Sequence, residues 1–117
     1  MNKSILREKS YSFAIRIVKL SKYLAEKKNE HILRKQIMRS GTAIGALICE
    51  AGQAESIADF THKLSIYLKE AHETRYWLSL LKDTDYITNK MYDSIISECE
   101  ELIKMLTASI KTSKTRK

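Results

Sequence analysis

The stretch "RSGTAIGALICEAGQAES", Arg39–Ser56, contains Gly41, Gly45 and Gly52, which are all the glycines of the 117-residue chain. Proline is absent throughout. A glycine inside a helix costs roughly 0.5–1 kcal/mol relative to alanine. Yet Ile37, Gly41, Ile44, Ile48 and Ala51 recur at helical spacing, so the stretch reads as helix in spite of its glycines. Gly41, Gly45 and Cys49 recur every four residues, which marks a face that a neighbouring helix can approach closely. Burial on that face would offset the cost in helix propensity.

Working outward, the same period continues on both sides. Phe13, Ile17, Leu20 and Leu24 give a first helix from Ser4 or Ser10 to Lys27. "EKKNEH" breaks it, and Asn29 is the candidate N-cap of a second helix over Glu30–Ala54. Ser56 opens a third with "SIAD", a capping-box pattern in which Asp59 stands in the place of the usual Glu. Phe60, Leu64, Tyr67, Leu68, Ala71, Leu78 and Leu81 carry that helix to Lys82. After "DTDY", Thr88 caps a fourth, with Met91, Ile95, Cys99, Leu102, Leu106 and Ile110 in period. The ending "KTSKTRK", 111–117, has no apolar residue and reads as a flexible basic tail. Four long helices with short connections predict an all-α, antiparallel up-down-up-down four-helix bundle, one domain over 1–117.

The chain is 44% hydrophobic and 30% charged, which excludes a disordered polymer. No window approaches the roughly 20 apolar residues of a membrane span, and no signal peptide is visible. Gly41-x-x-x-Gly45 therefore marks helix packing rather than a membrane contact. Cys49 and Cys99 fit no metal or disulfide framework and are expected as buried thiols of a cytoplasmic protein. The net charge of +7 is unevenly placed. Residues 1–40 hold eleven Lys/Arg against three Asp/Glu, residues 41–110 six against eleven, and residues 111–117 four against none. Such asymmetry suits contact between copies, or binding of RNA or DNA through counterion release. An up-down bundle brings both chain ends to one pole. Lys3, Arg7 and Lys9 would there join Lys111, Lys114, Arg116 and Lys117 as candidate nucleic-acid contacts.

No catalytic constellation emerges. A di-iron bundle needs Glu-x-x-His on two helices, whereas Asp59-x-x-His62 occurs once and His31 and His72 have no acidic partner at that spacing. "GTAIGA" lacks the Gly-Lys-Ser/Thr of a phosphate loop. The expectation is no enzyme, no cofactor and no metal. Arg39, Glu50, Glu70 and Glu73 are read as a structural polar network, since a carboxylate near a helix interface must be paired. The tyrosines and Trp77 fall at helical spacing and are read as packing groups.

Several runs point further: "QIMRSGTAIGALICEA" at 36–51, "DF" at 59–60, "KL" at 63–64 and "KEAHETRYWL" at 69–78. With them, residues 10–106 closely resemble the four-helix-bundle family first noticed as reading frames in intervening sequences of bacterial 23S rRNA genes. Some members carry a ribosomal-protein-like name, and the accessory variability protein of diversity-generating retroelements is related. Arg39, Ser40, Ile44, Ile48 and Glu50 match the family's second-helix pattern. Gly45, Leu47, Ala51 and Gly52 depart from it, and Asp85 sits where the family often closes the third helix with glycine, none of them a catalytic position. The resemblance implies a homo-oligomer, most often a pentameric ring, acting as a binding or scaffold protein. Its retroelement branch implies an alternative role, binding a reverse transcriptase and nucleic acid.

Overall fold

The computed structural model of the protein describes residues 3–50 and 54–115, with side chains from Ile5 onward. Four helices fill these residues: α1 (Lys3–Lys28), α2 (Leu33–Glu50), α3 (Ile57–Asp83) and α4 (Asn89–Lys114). They lie side by side in a body of 48 × 21 × 20 Å. Cross-helix pairs set their directions. Gly41 and Gly45 of α2 meet Ile17 and Ser10 of α1. Thr61, Ala71 and Ser79 of α3 meet Ser113, Cys99 and Tyr92 of α4. Lys9 and Arg16 of α1 meet Glu101 and Ser94 of α4. In each pair one number rises as the other falls, which is the antiparallel pairing expected of the bundle.

The helix ends follow from local chemistry, with one correction. Asn29 does not cap α2. It sits at φ 51° and closes α1, and the N–H of Glu30 returns to the Leu24 carbonyl at 2.9 Å. Glu30 takes over the capping. Its buried carboxylate accepts from the N–H groups of Ile32 at 2.9 Å, of Leu33, and of Arg34 at 3.2 Å. These are donors that a first helical turn leaves without intrahelical partners, and an anion suits that end of the dipole. Helix α2 therefore starts at Leu33 rather than Glu30. Ala54 is outside any helix, while Ala51 and Gly52 lie outside the described residues.

Ser56 and Thr88 cap α3 and α4 as their sequences suggest, accepting from Asp59 N–H at 3.0 Å and Met91 N–H at 3.1 Å. Asp59 returns the favour one residue early, accepting from the N–H of Glu55 at 3.1 Å. That bond, then Lys63, holds the Asp59 carboxyl below its ordinary range. Asp85, at φ 65°, closes α3. The N–H groups of Tyr86 and Asp85 return to the carbonyls of Leu81 and Lys82 at 2.9 and 3.1 Å, the paired bonds of a Schellman ending. Helix α4 continues through Lys114, so the segment expected as a tail from 111 begins as helix. Ser113 there is buried against Thr61.

Every helix contributes to one core. Phe13, Ile17 and Leu24 come from α1, Ile37 and Ile44 from α2, Leu64, Tyr67, Leu78 and Leu81 from α3, and Cys99, Leu102 and Leu106 from α4. Burying each large side chain stabilises by about 1.5–3 kcal/mol. Cys99 behaves as a small apolar residue. Its thiol donates to the Ala71 carbonyl at 3.4 Å, and burial pushes its pKa up to about 12. Cys49 contradicts the expectation of two buried thiols, because it is exposed.

Candidate functional site

The glycine face resolves into a gradient. A Cβ on Gly41 would lie 2.7 Å from Ile17 Cγ1, so α1 and α2 meet there with no room for a side chain. A Cβ on Gly45 would lie 3.3 Å from the Ser10 carbonyl oxygen, which is tight and against backbone. Cys49 has turned out to solvent. The cause is helical pitch: a four-residue step is about 40° more than a full turn, so the row drifts off the contact line. Gly41 and Gly45 are thus packing residues within one chain, and Cys49 belongs to the outer surface.

That drift defines a face. With Ile17 against Gly41 and Ser10 against Gly45, the outward side of α1 carries Tyr11, Ala14 and Val18. At the same levels, α2 carries Ala46, Thr42 and Met38, with Cys49 beyond. None of these seven side chains is charged. Tyr11 is 66% exposed and Met38 36%.

The polar network stands on the next face, between α2 and α3. The Arg39 guanidinium donates to Glu70 at 2.9 Å and to Glu73. Glu73 also accepts from the Trp77 indole at 3.0 Å. The indole hydrogen bond, then Arg39, holds the Glu73 carboxyl below its usual range, while Glu70 and Glu73 raise the Arg39 pKa. Beneath them, Thr74 Oγ1 is 2.8 Å from the Glu70 carbonyl and 2.9 Å from Ser40 Oγ. With one proton it donates to the carbonyl and accepts from Ser40. Glu50, expected in this network, is absent from it. It is the exposed last residue of α2, eleven positions and about 16 Å along the helix from Arg39. Among the described residues the buried hydroxyl of Tyr67 has no hydrogen-bond partner, and burial, then the charges of Glu50 and Asp59, raise its pKa.

The basic candidates divide. Arg7, Lys111 and Lys114 are exposed, whereas Lys9 is engaged by Glu101 at 3.1 Å. The Lys9–Glu101 pair sets the start of α1 beside the far part of α4. The Lys3 side chain, Arg116 and Lys117 lie outside the described residues. His31, His62 and His72 are all exposed, and His31 joins Asn29 and Arg34 at the α1–α2 turn. Among the described residues no three His, Cys, Asp or Glu side chains gather to hold a metal, and no helix is long and apolar enough to cross a membrane. Sequence reasoning missed Glu30 and Trp77. "NEHIL" and the Glu73–Trp77 spacing of four were the available signals.

Comparison with known proteins agrees with this geometry. No curated protein matches the chain. Its structure is similar to the crystal structure of a protein of unknown function from the S23 ribosomal protein family of Bacteroides thetaiotaomicron. The TM-score is 0.92 at 51% identity, over 95% of this chain and 99% of that one. The family model described as 23S rRNA-intervening sequence protein matches residues 2–108, which takes in all of α1, α2 and α3 and most of α4. With the four-helix architecture and this match over nearly its whole length, the chain belongs to the 23S rRNA-intervening sequence protein family.

Proposed function

We propose that this protein is a non-enzymatic scaffold that binds copies of itself, as a homopentamer. The observation that carries the reading is the row of uncharged side chains on the outer flanks of α1 and α2. Tyr11, Ala14, Val18, Met38, Thr42 and Ala46 stand on two helices held at glycine distance. A patch of small and apolar groups bordered along the two helices by Arg7, Lys22 and Lys35 has the composition of an interface core with a polar rim. The pentameric number rests on the family resemblance. Light scattering at micromolar concentration is expected to give several times the 13.5 kDa chain mass. Met38→Arg is expected to return a folded monomer, because a charge would be buried unpaired. A wild-type monomer at every concentration would contradict the reading.

A second reading is favoured by the exposed Arg7, Lys111 and Lys114 at one end of the bundle, namely binding of nucleic acid alongside a reverse transcriptase. Because Ser113 packs on Thr61, substitution is a cleaner probe than truncation. Lys111→Gln with Lys114→Gln should weaken binding to RNA and duplex DNA and flatten its salt dependence. Equal affinity for wild type and variant would remove this surface from the account.

A further inference from the structure

The α1–α4 seam changes character along its length. Near one end Lys9 pairs with Glu101 at 3.1 Å. Two turns on, Arg16 donates to the Ser94 carbonyl at 3.1 Å, to Ser94 Oγ at 2.9 Å and to Glu98. At the next level the ladder stops. Lys19 of α1 and Lys90 of α4 line the same groove, and among the described residues neither has a hydrogen-bond or ion-pair partner. Two like charges flank an opening where the rest of the seam places opposite charges.

Between them lies a groove of about 660 Å³, a volume within the usual range of small-molecule sites. Its floor is Leu20, Tyr23, Ile87, Met91 and Ile95. Leu20, Ile87 and Ile95 are recessed, at 8, 4 and 4% exposure. The two lysines make the opening attractive to an anion, and the recessed apolar floor suits an alkyl chain. A single alkyl chain can enter it, and an anionic head would meet the lysines. We propose that this groove binds a free anionic amphiphile, a carboxylate or phosphate on one medium-length alkyl chain, with the head between Lys19 and Lys90 and the chain on Leu20, Ile87 and Ile95. The site lies between α1 and α4, whereas the outer face lies on α1 and α2.

The test titrates the full chain with decanoate and with decyl phosphate below their micelle concentrations, with decanol as the neutral control. Binding is read by calorimetry and by the methyl resonances of Ile87 and Ile95. At least one anion should saturate a single site and shift both methyls. Decanol should bind about tenfold or more weakly, and Lys19→Gln with Lys90→Gln should weaken the anion by a similar factor, about 1.4 kcal/mol. Both lysines are exposed, so the variant should keep its melting temperature and molar mass. Four results would each overturn the proposal: no saturable binding of either anion, equal binding of decanol, an unaffected variant, or methyl shifts that follow protein concentration without ligand. The last would mean that a second copy covers the groove.

Discussion

Asn29 and Asp85 hold positive φ, 51° and 65°, and each ends a helix. A side chain in the left-handed region costs roughly 1–2 kcal/mol that glycine avoids, which is why glycine dominates this position in other helices. The Asp85 side chain is exposed. Asp85→Gly is therefore expected to raise stability by about 0.5–1 kcal/mol, offset in part by the freedom glycine gains on unfolding. Chemical denaturation should show the higher midpoint, and a lower one would mean that the carboxylate makes a contribution the geometry does not reveal. The same two residues show what a sequence displays at this scale. Asn is favoured both at helix starts and in left-handed closures, so Asn29 alone could not say which it was. Glu30 was harder still, since a glutamate reaching forward to cap its own turn falls outside the usual N-cap preferences. Ser56 and Thr88 were legible because their chemistry has one common use.

At the scale of elements, the apolar period revealed four helices, and their number, order and approximate bounds were readable from residues such as Phe13, Ile44, Leu78 and Leu102. The partners across them were less so. Cys49 shares the four-residue row of Gly41 but not its burial, because the pitch carries the row outward. Glu50 is near the same stripe, yet Arg39 finds its acids on α3. The glycine contact gives an ordered expectation. Gly41→Ala gains about 1 kcal/mol of helix propensity but drives a methyl into Ile17, and overpacking of this kind costs about 1–3 kcal/mol. The net should be a lower melting temperature. Gly45→Ala, at 3.3 Å, should come out nearer neutral. A Gly41→Ala protein more stable than wild type would show that α1 and α2 can separate at little cost. The Arg39 network gives a pH dependence. Glu73 has a depressed pKa, so its contribution is present above the unfolded carboxylate range near about 4.3 and is lost as pH falls through the folded value. The pair is partly exposed, so the effect is at most about 1 kcal/mol. Glu73→Gln should melt below wild type at pH 6, with a smaller gap at pH 3. An equal gap at both would mean that charge is not what Glu73 contributes.

For the whole molecule, two surfaces differ in character, a patch of small and apolar side chains on α1 and α2 and a recessed groove between α1 and α4. The first follows from the glycines of α2. Gly41 and Gly45 let the two helices approach closely, and the uncharged side chains stand on the flanks beside that contact. Cys49 is exposed on α2 beyond Ala46, and Cys99 is sealed in the core as an internal reference. Their reactivity toward a maleimide tests the assembly most directly. In native wild-type protein at micromolar concentration, Cys49 should react about tenfold or more slowly than in Met38→Arg, eleven residues and about 16 Å away along the helix. Cys99 should stay unlabelled in both until the protein unfolds. Equal Cys49 rates in the two proteins would contradict the account, because copies would then not meet on this face.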